Sequence, residues 1–193
     1  GPYRLLGWSF GGNVAHEMAV QLEEQGERVS LLALVDAGAT YAVGPDGSVV
    51  EHETLETLLQ SLGYKAGDVV GDAFGTDTGA GRLVRADVIE FLRGARADWR
   101  EGDEARIDAL VEAARNNERI LGAFTPRRSA ARVLYFAADP AGRDDGTAAD
   151  KWLPYAGGGV VRHTVPYEHD AMMSPGSLSS IVPVVAAALR GED

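Results

Sequence analysis

The sequence of 193 residues contains no cysteine, few histidines, few basic residues and no long apolar run. Without cysteine, a disulfide scaffold, a thiol nucleophile and a thiolate-ligated zinc or iron–sulfur site are all excluded. Of the four histidines, no two have the spacing that would present them as ligands on one helix face. A metal site is therefore not expected.

The charge balance is strongly acidic, with 18 basic against 29 acidic side chains and a net charge of −11. Such a charge repels phosphate backbones and anionic lipid headgroups, so nucleic acid and membrane surfaces are not expected as partners. The longest apolar stretches, such as residues 181–189, are too short to span a bilayer, and residues 1–20 lack a signal-peptide layout. We expect one soluble, cytoplasmic globular protein.

Both ends of the chain alternate between strand and helix patterns in the way that builds a parallel sheet. The first 35 residues predict one strand–helix–strand unit, and a second unit with a closing helix follows near the C-terminus. The predicted strands are residues 3–8, 29–35, 131–137 and 160–165, and the predicted helices of these parts are residues 12–25, 148–155 and 178–189.

The middle of the chain has a different pattern, in which helical periodicity alternates with glycine. Helices are predicted around residues 55–62, 84–92 and 107–121, with a glycine-rich tract over 67–81. We interpret residues 41–126 as a helical lid inserted into an α/β core formed by residues 1–40 and 127–193. The alternative is that this insertion has only a structural role, although long insertions with internal structure are more often functional.

The number of strands is low for an α/β domain. Such a sheet usually has at least five strands, whereas this sequence predicts four and begins with one that should already be central. We therefore expect further N-terminal strands of the same domain that are missing from this chain.

Residues 7–11, Gly-Trp-Ser-Phe-Gly, match the G-x-S-x-G nucleophile elbow and lie between a predicted strand and a predicted helix. A side chain at either glycine of the motif should collide with the neighbouring strand or helix, and Gly12 should relieve helix–strand contact further. The turn exposes the Ser9 hydroxyl and directs the Phe10 N–H toward a developing oxyanion. A phosphate-binding turn is the alternative, but glycine is absent at positions 8 and 9, as is a G-K-[ST] motif.

A serine nucleophile needs a histidine base and an acid that orients it. Asp36 and Asp139 each follow a predicted strand directly, so both would lie at the same sheet edge as Ser9. His163 lies inside a predicted strand, whereas His169 lies in the loop beyond it and can reach over the elbow. We favour His169 as the base and leave the acid open between the two aspartates.

Other candidate residues have simpler interpretations. His16 lies two turns into the elbow helix and is expected to pack, while His52 is expected to be solvated. Arg127 and Arg128 follow the insertion and could meet a carrier's phosphate, although solvated surface arginines are the more common case.

Three segments together resemble the thioesterase domain that ends nonribosomal peptide synthetases, a member of the α/β-hydrolase superfamily. They are residues 1–12, GPYRLLGWSFGG, residues 32–37, LALVDA, and residues 165–172, VPYEHDAM. The resemblance implies that the triad is Ser9, Asp36 and His169, which demotes Asp139. It also implies that Trp8 and Met172 contact the substrate.

The activity implied by this resemblance is release of a peptidyl or depsipeptidyl thioester from the phosphopantetheine arm of a peptidyl carrier domain. Ser9 would form the acyl-enzyme, and water or an internal nucleophile would give a free acid or a macrocycle. We favour the macrocycle, and we expect no bound cofactor. A free-standing editing thioesterase and a small-ester serine hydrolase are the alternatives; an acyltransferase or a non-catalytic binding module fits less well. In the family, a loop before the elbow supplies a second oxyanion donor, and no residue of this sequence can be assigned to that role.

Overall fold

The computed structural model of the chain describes residues 1–39, 48–71, 82–96 and 98–191. The chain divides into two compact units. The first unit comprises Gly1–Tyr41 together with Ala123–Asp193, and the second comprises Ala42–Gly122. No helix within the described ranges is both long and apolar enough to cross a membrane.

The first unit is built on a parallel sheet with the order β1-β2-β3-β4. Its strands are β1 (Tyr3–Trp8), β2 (Val29–Val35), β3 (Val133–Ala138) and β4 (Val160–Val165). Helices α1 (Phe10–Glu24), α6 (Thr147–Asp150) and α7 (Pro175–Arg190) belong to the same unit, with 3-10 turns at Leu153–Tyr155 and His169–Ala171. The predicted α/β class, a parallel sheet flanked by helices, is therefore confirmed.

The two central strands, β2 and β3, are buried on both faces, which explains why β2 is an almost unbroken apolar run. Alternate residues of β2 point to opposite sides, so Leu32 and Leu34 enter one apolar cluster while Ala33 and Val35 enter another. Trp152 is the largest fully buried side chain of the first cluster. The second cluster joins the sheet to α7.

The second unit is helical, as the periodicity indicates. Its helices are α2 (Ser48–Ser61), α3 (Ala66–Val70), α4 (Arg85–Ala95) and α5 (Asp103–Ala123). Apolar residues of these helices form a separate buried cluster that includes Leu55, Leu59, Val88, Leu92 and Val111. The short helix α3 was not predicted, and part of the predicted glycine tract, residues 72–81, lies outside the described residues.

One predicted helix is interrupted. The sequence predicts a helix over residues 148–155, whereas the structure has the four-residue α6 followed by a 3-10 turn that contains Pro154. Proline has no N–H to donate to the carbonyl four residues earlier, and its ring clashes there, so an α-helix does not continue through this position.

Side chains of helix α1 bind the chain of the first unit on both sides of the segment that forms the second unit. Near the departure, the Asn13 side-chain amide donates to the carbonyl of Gly38 at 2.8 Å. Near the return, the Glu23 carboxylate accepts from the Ala130 N–H at 2.8 Å and from the Ser129 hydroxyl at 3.0 Å. Helix α1 therefore fixes the chain of the first unit both before and after residues 42–122.

Candidate active site

The topology brings three chemically useful side chains to one edge of the sheet. Trp8 pairs with Val35 in the parallel register, so Ser9 and Asp36 follow immediately at the carboxyl ends of neighbouring strands. His169 lies four residues beyond the end of β4, in the 3-10 turn His169–Ala171. The carboxyl ends of parallel strands meet at one edge, so residues far apart in sequence become neighbours there.

These three residues form a continuous chain of hydrogen bonds. His169 Nε2 lies 2.9 Å from Ser9 Oγ, and His169 Nδ1 lies 2.7 Å from Asp36 Oδ2. The Asp36 side chain is 21% exposed and that of His169 is 43% exposed, so the acid is shielded while the base remains accessible. The distances suit transfer of the hydroxyl proton to the imidazole, with the carboxylate holding the opposite nitrogen.

The Ser9 backbone is strained in the manner expected of a nucleophile elbow. Its φ of 53° lies in the left-handed region that non-glycine residues rarely adopt, and its N–H donates to the Val35 carbonyl at 2.9 Å. Strain of this kind persists where the surrounding structure enforces it, and it is often found at functional sites. Here the strain lifts the hydroxyl off the end of β1 toward His169.

The steric demand of the elbow falls on Gly7 and Gly12. A Cβ atom on Gly7 would overlap the backbone of Gly11, and one on Gly12 would overlap the Cβ of Ala37. The expectation that Gly11 must lack a side chain is wrong in steric terms, because a Cβ built there meets nothing within 4 Å among the described residues. Gly7 allows the strand and the helix to approach each other, and Gly12 allows α1 to approach the turn after β2.

Phe10 begins α1, so its N–H belongs to the first turn of the helix. Amide groups in this turn have no intrahelical acceptor, and the helix dipole makes them favourable toward negative charge. The Phe10 N–H adjoins Ser9 and is therefore available to an oxyanion that forms there.

The two candidate acids differ in what their carboxylates contact. Asp36 has a φ of 46°, and its second carboxylate oxygen accepts from the Ala138 N–H at 3.0 Å, which fixes the group against the end of β3. Asp139 instead closes its own turn, since its Oδ1 accepts from the Arg143 N–H at 2.6 Å. The geometry therefore separates two residues that the strand pattern alone left equivalent.

Trp8 and Met172, which were expected to contact substrate, lie in different surroundings. The Trp8 ring is partly buried, with its centroid 5.5 Å from that of His169. Met172 is fully buried in the apolar cluster between the sheet and α7, and its carbonyl accepts from the Ser177 hydroxyl at 2.8 Å. Met172 is therefore a core residue that steadies the histidine segment, which corrects the expected substrate contact.

Two supporting residues were missed by sequence reasoning. The Trp152 indole donates to the Ala37 carbonyl at 2.7 Å, and the buried Asn13 amide donates to the next carbonyl, that of Gly38. Both bonds hold the turn that carries Asp36. The available signal was weak: Asn13 is a polar residue on the apolar side of a helix, and Trp152 lies 115 residues from its partner.

The other histidines serve the packing. His16 is buried with its ring 4.8 Å from that of Trp152, and burial lowers the pKa of His16. His52 was expected to be solvated, but it is half-buried and accepts from the Leu83 N–H at 2.9 Å. His163 stacks on Phe136. Within the described ranges, no group of three or more histidine and acidic side chains could hold a metal ion.

Arg127 is not placed as a phosphate receptor. Its guanidinium pairs with Glu17 at 2.6 Å and also with Glu24, and both carboxylates belong to α1. The hydrogen bond from Arg127 holds the pKa of Glu17 below its usual value, against the effect of burial. With Glu23 adjacent, the surroundings of Arg127 are acidic and would repel a phosphate.

A family model described as the thioesterase domain matches residues 1–187. Among curated proteins, the dimodular nonribosomal peptide synthase of Bacillus subtilis (strain 168) is 33% identical over 98% of the chain, and a probable non-canonical nonribosomal peptide synthetase of Salinispora arenicola (strain CNS-205) is 31% identical over 98%. The chain spans 8% and 2% of the lengths of these two relatives, respectively.

Solved structures give the same picture of the fold. The NocB thioesterase domain, in a covalent complex with a fluorophosphonate nocardicin G analog, is 27% identical with a TM-score of 0.57, covering 98% of this chain and 66% of its own. The surfactin thioesterase domain SrfTE is 19% identical with a TM-score of 0.59, covering 98% of this chain and 68% of its own.

Proposed function

The chain belongs to the thioesterase domain family, and on that premise we propose that it releases a peptidyl or depsipeptidyl thioester from a carrier domain through an acyl-enzyme on Ser9. The observation that carries the proposal is the hydrogen-bond chain from Ser9 through His169 to Asp36, at the end of the sheet. The similarity to nonribosomal peptide synthetases supports a peptide substrate held on a phosphopantetheine arm.

The first half-reaction is attack on the thioester. Ser9 Oγ bonds to the acyl carbon as its proton passes to His169 Nε2, and the C–S bond then breaks as the carrier thiol takes that proton. Asp36 keeps the imidazole in the tautomer that can accept from Ser9, and its charge stabilises the imidazolium that forms. The Phe10 N–H donates to the oxyanion of the tetrahedral intermediate.

The second half-reaction releases the chain from Ser9. His169 Nε2 removes a proton from water, or from a hydroxyl or amine of the acyl chain, as that nucleophile bonds to the acyl carbon. The bond from the acyl carbon to Ser9 Oγ then breaks as His169 returns the proton to Ser9 Oγ, which gives a free acid from water or a ring from the internal nucleophile. The two outcomes differ in whether water is excluded while the chain folds back on itself. We propose that the second unit acts as the lid that controls this access, and we favour macrocyclisation because a helical insertion of this length suits a large acyl chain. The SrfTE structure concerns cyclisation of a lipopeptide on the same fold.

The test loads a carrier protein with a thioester mimic of a peptide and identifies the product by mass. A product lacking one water relative to the linear acid indicates ring closure, whereas the linear acid indicates hydrolysis. Equal turnover of simple esters and carrier-bound thioesters would support an editing thioesterase or a small-ester hydrolase instead.

Covalent labelling tests the nucleophile itself. A fluorophosphonate probe should label the intact protein at Ser9, Ser9→Ala should abolish the label, and His169→Ala should nearly do so. Ser174 provides the matched control, since it caps α7 through the Ser177 N–H and lies outside the hydrogen-bond chain, so Ser174→Ala should keep the label. A wild-type protein that is folded and yet unlabelled would contradict the proposed function.

A further inference from the structure

We propose that Trp8 is a positioning residue for the acyl-transfer reaction, and that its indole face stabilises the protonated form of His169. The inference rests on the proposed function, because the imidazolium arises when His169 takes the proton of Ser9. It adds a role that differs from the substrate contact expected from the sequence.

The geometry places one ring against the other. The ring centroids of Trp8 and His169 are 5.5 Å apart, with an angle of 33° between the planes. A cation within about 6 Å of an aromatic centroid is attracted by the negative face of the ring, and tryptophan gives the strongest such attraction. The indole is therefore close enough to favour the imidazolium over the neutral imidazole.

The position of Trp8 is fixed by its surroundings. It is the last residue of β1, paired with Val35, and it packs against the apolar cluster that contains Val165 and Met172. That same cluster borders the segment that carries His169. Trp8 is thus held by the packed cluster, while the His169 ring is held by its hydrogen bonds to Asp36 and Ser9.

A second observation indicates that the indole is not there for packing alone. Trp8 Nε1 is buried, and it has no hydrogen-bond partner among the residues that the structure describes. A buried N–H without an acceptor is unfavourable, and buried tryptophans usually find a partner. A phenylalanine would fill much of the same space without this penalty, so packing alone does not account for an indole at this position.

The charged groups around the imidazole define the background against which Trp8 acts. The Asp36 carboxylate faces Nδ1 from the end of β2, and the Ser9 hydroxyl faces Nε2 from the elbow. Glu168 and Asp170 flank the histidine as exposed carboxylates. These carboxylates favour the imidazolium as well, and Trp8 adds to them through the ring face, without accepting a proton at any step.

The experiment measures the pKa of His169 by NMR in the intact protein, for the wild type, Trp8→Phe and Trp8→Leu. In Trp8→Leu we expect the pKa to fall by about half a unit, and in Trp8→Phe by less. Trp99→Leu is the matched control: it replaces a tryptophan of the second unit and should leave the pKa of His169 unchanged.

The pH profile of kcat/KM provides the kinetic signature. Activity rises as His169 loses its proton, so a lower pKa should move the midpoint of the rise to lower pH, while the plateau falls because the imidazolium is less stable. A merely structural role would lower the plateau without moving the midpoint.

An unchanged or raised pKa in Trp8→Leu would overturn the inference; if that variant does not fold, the same criterion applies to Trp8→Phe. Fluorophosphonate labelling separates the two proposals. A labelled wild type with no shift refutes the role of Trp8 alone, whereas an unlabelled wild type refutes the proposed function.

Discussion

Replacing Asp36 by asparagine is the most informative single perturbation of the site. Asparagine keeps the shape of the side chain, and its amide oxygen can still accept from the Ala138 N–H, which Asp36 binds at 3.0 Å. Asparagine also tolerates a φ of 46° better than most residues, so the turn should remain intact. The substitution therefore leaves the turn in place, removes the negative charge, and puts an amide N–H group where the Asp36 Oδ2 atom accepted from His169.

The magnitude follows from the distance between the two groups. Asp36 Oδ2 lies 2.7 Å from His169 Nδ1, which places the centre of the imidazolium charge about 4 Å from the carboxylate. At that separation the attraction is about 1 kcal/mol in bulk water and about 4 kcal/mol in a protein-like medium. Because Asp36 is mostly shielded, we expect a value toward the upper limit, and about 4 kcal/mol corresponds to roughly a 10³-fold loss of rate. An asparagine that donates to Nδ1 would also impose the wrong tautomer.

The assay compares the rate of fluorophosphonate labelling, and of thioester turnover, between Asp36→Asn and Asp139→Asn. The Asp139 carboxylate closes its own turn with Arg143, so Asp139→Asn should stay within about threefold of the wild type, below 1 kcal/mol. Circular dichroism confirms that both variants are folded. The reasoning is refuted if Asp36→Asn loses less than about tenfold, or if Asp139→Asn is the more damaging substitution.

Three further predictions concern the packing around the site, two of them with a matched control substitution. Gly12→Ala should destabilise the fold by about 1–3 kcal/mol in urea unfolding, because its Cβ would overlap that of Ala37. Gly11→Ala is the control and should be neutral or stabilising, since a Cβ there has space. A larger loss of stability in Gly11→Ala would contradict the steric account. Glu23→Ala removes the acceptor of the Ser129 hydroxyl and the Ala130 N–H, so it should lower the free energy of unfolding by about 1–3 kcal/mol. Glu24→Ala is the control: its carboxylate forms an exposed ion pair, so the loss should be less than about 1 kcal/mol. Burial lowers the pKa of His16, so below about pH 6.5 the unfolded chain binds a proton that the native state does not, and the free energy of unfolding falls with acidification. His16→Phe should reduce this loss of stability. An unchanged pH dependence of unfolding in that variant would contradict the role of His16.

The sheet could be predicted because its strands carry local signals. The run from Val29 to Val35 is apolar at nearly every position, which indicates burial on both faces, and the elbow motif lies between a strand and a helix in the sequence. The interruption of the helix near Pro154 also has a local cause, the missing N–H of proline, which helical periodicity alone does not indicate.

The site was only partly predictable, because its selection depends on distant contacts. Asp36 and Asp139 both follow strands, so the strand pattern alone does not distinguish them, and only the family resemblance favoured Asp36. In the structure the Asp36 carboxylate reaches His169, whereas that of Asp139 accepts from the Arg143 N–H. Trp152 holds the Asp36 turn from a position 115 residues away, a relation with no local pattern. Met172 belongs to the motif that identifies the histidine, yet the motif does not reveal that its side chain turns into the core.

The bonds from α1 to the chain on both sides of the inserted unit have a consequence for how such chains diversify. Asn13 holds the departure at Gly38, and Glu23 holds the return at Ala130, while β2 and β3 pair directly with each other. The first unit thus holds the chain on both sides of the insertion with side chains of its own helix α1. Insertions of different length or sequence can therefore be accommodated between these two points, while the sheet and the hydrogen bonds among Ser9, His169 and Asp36 stay unchanged.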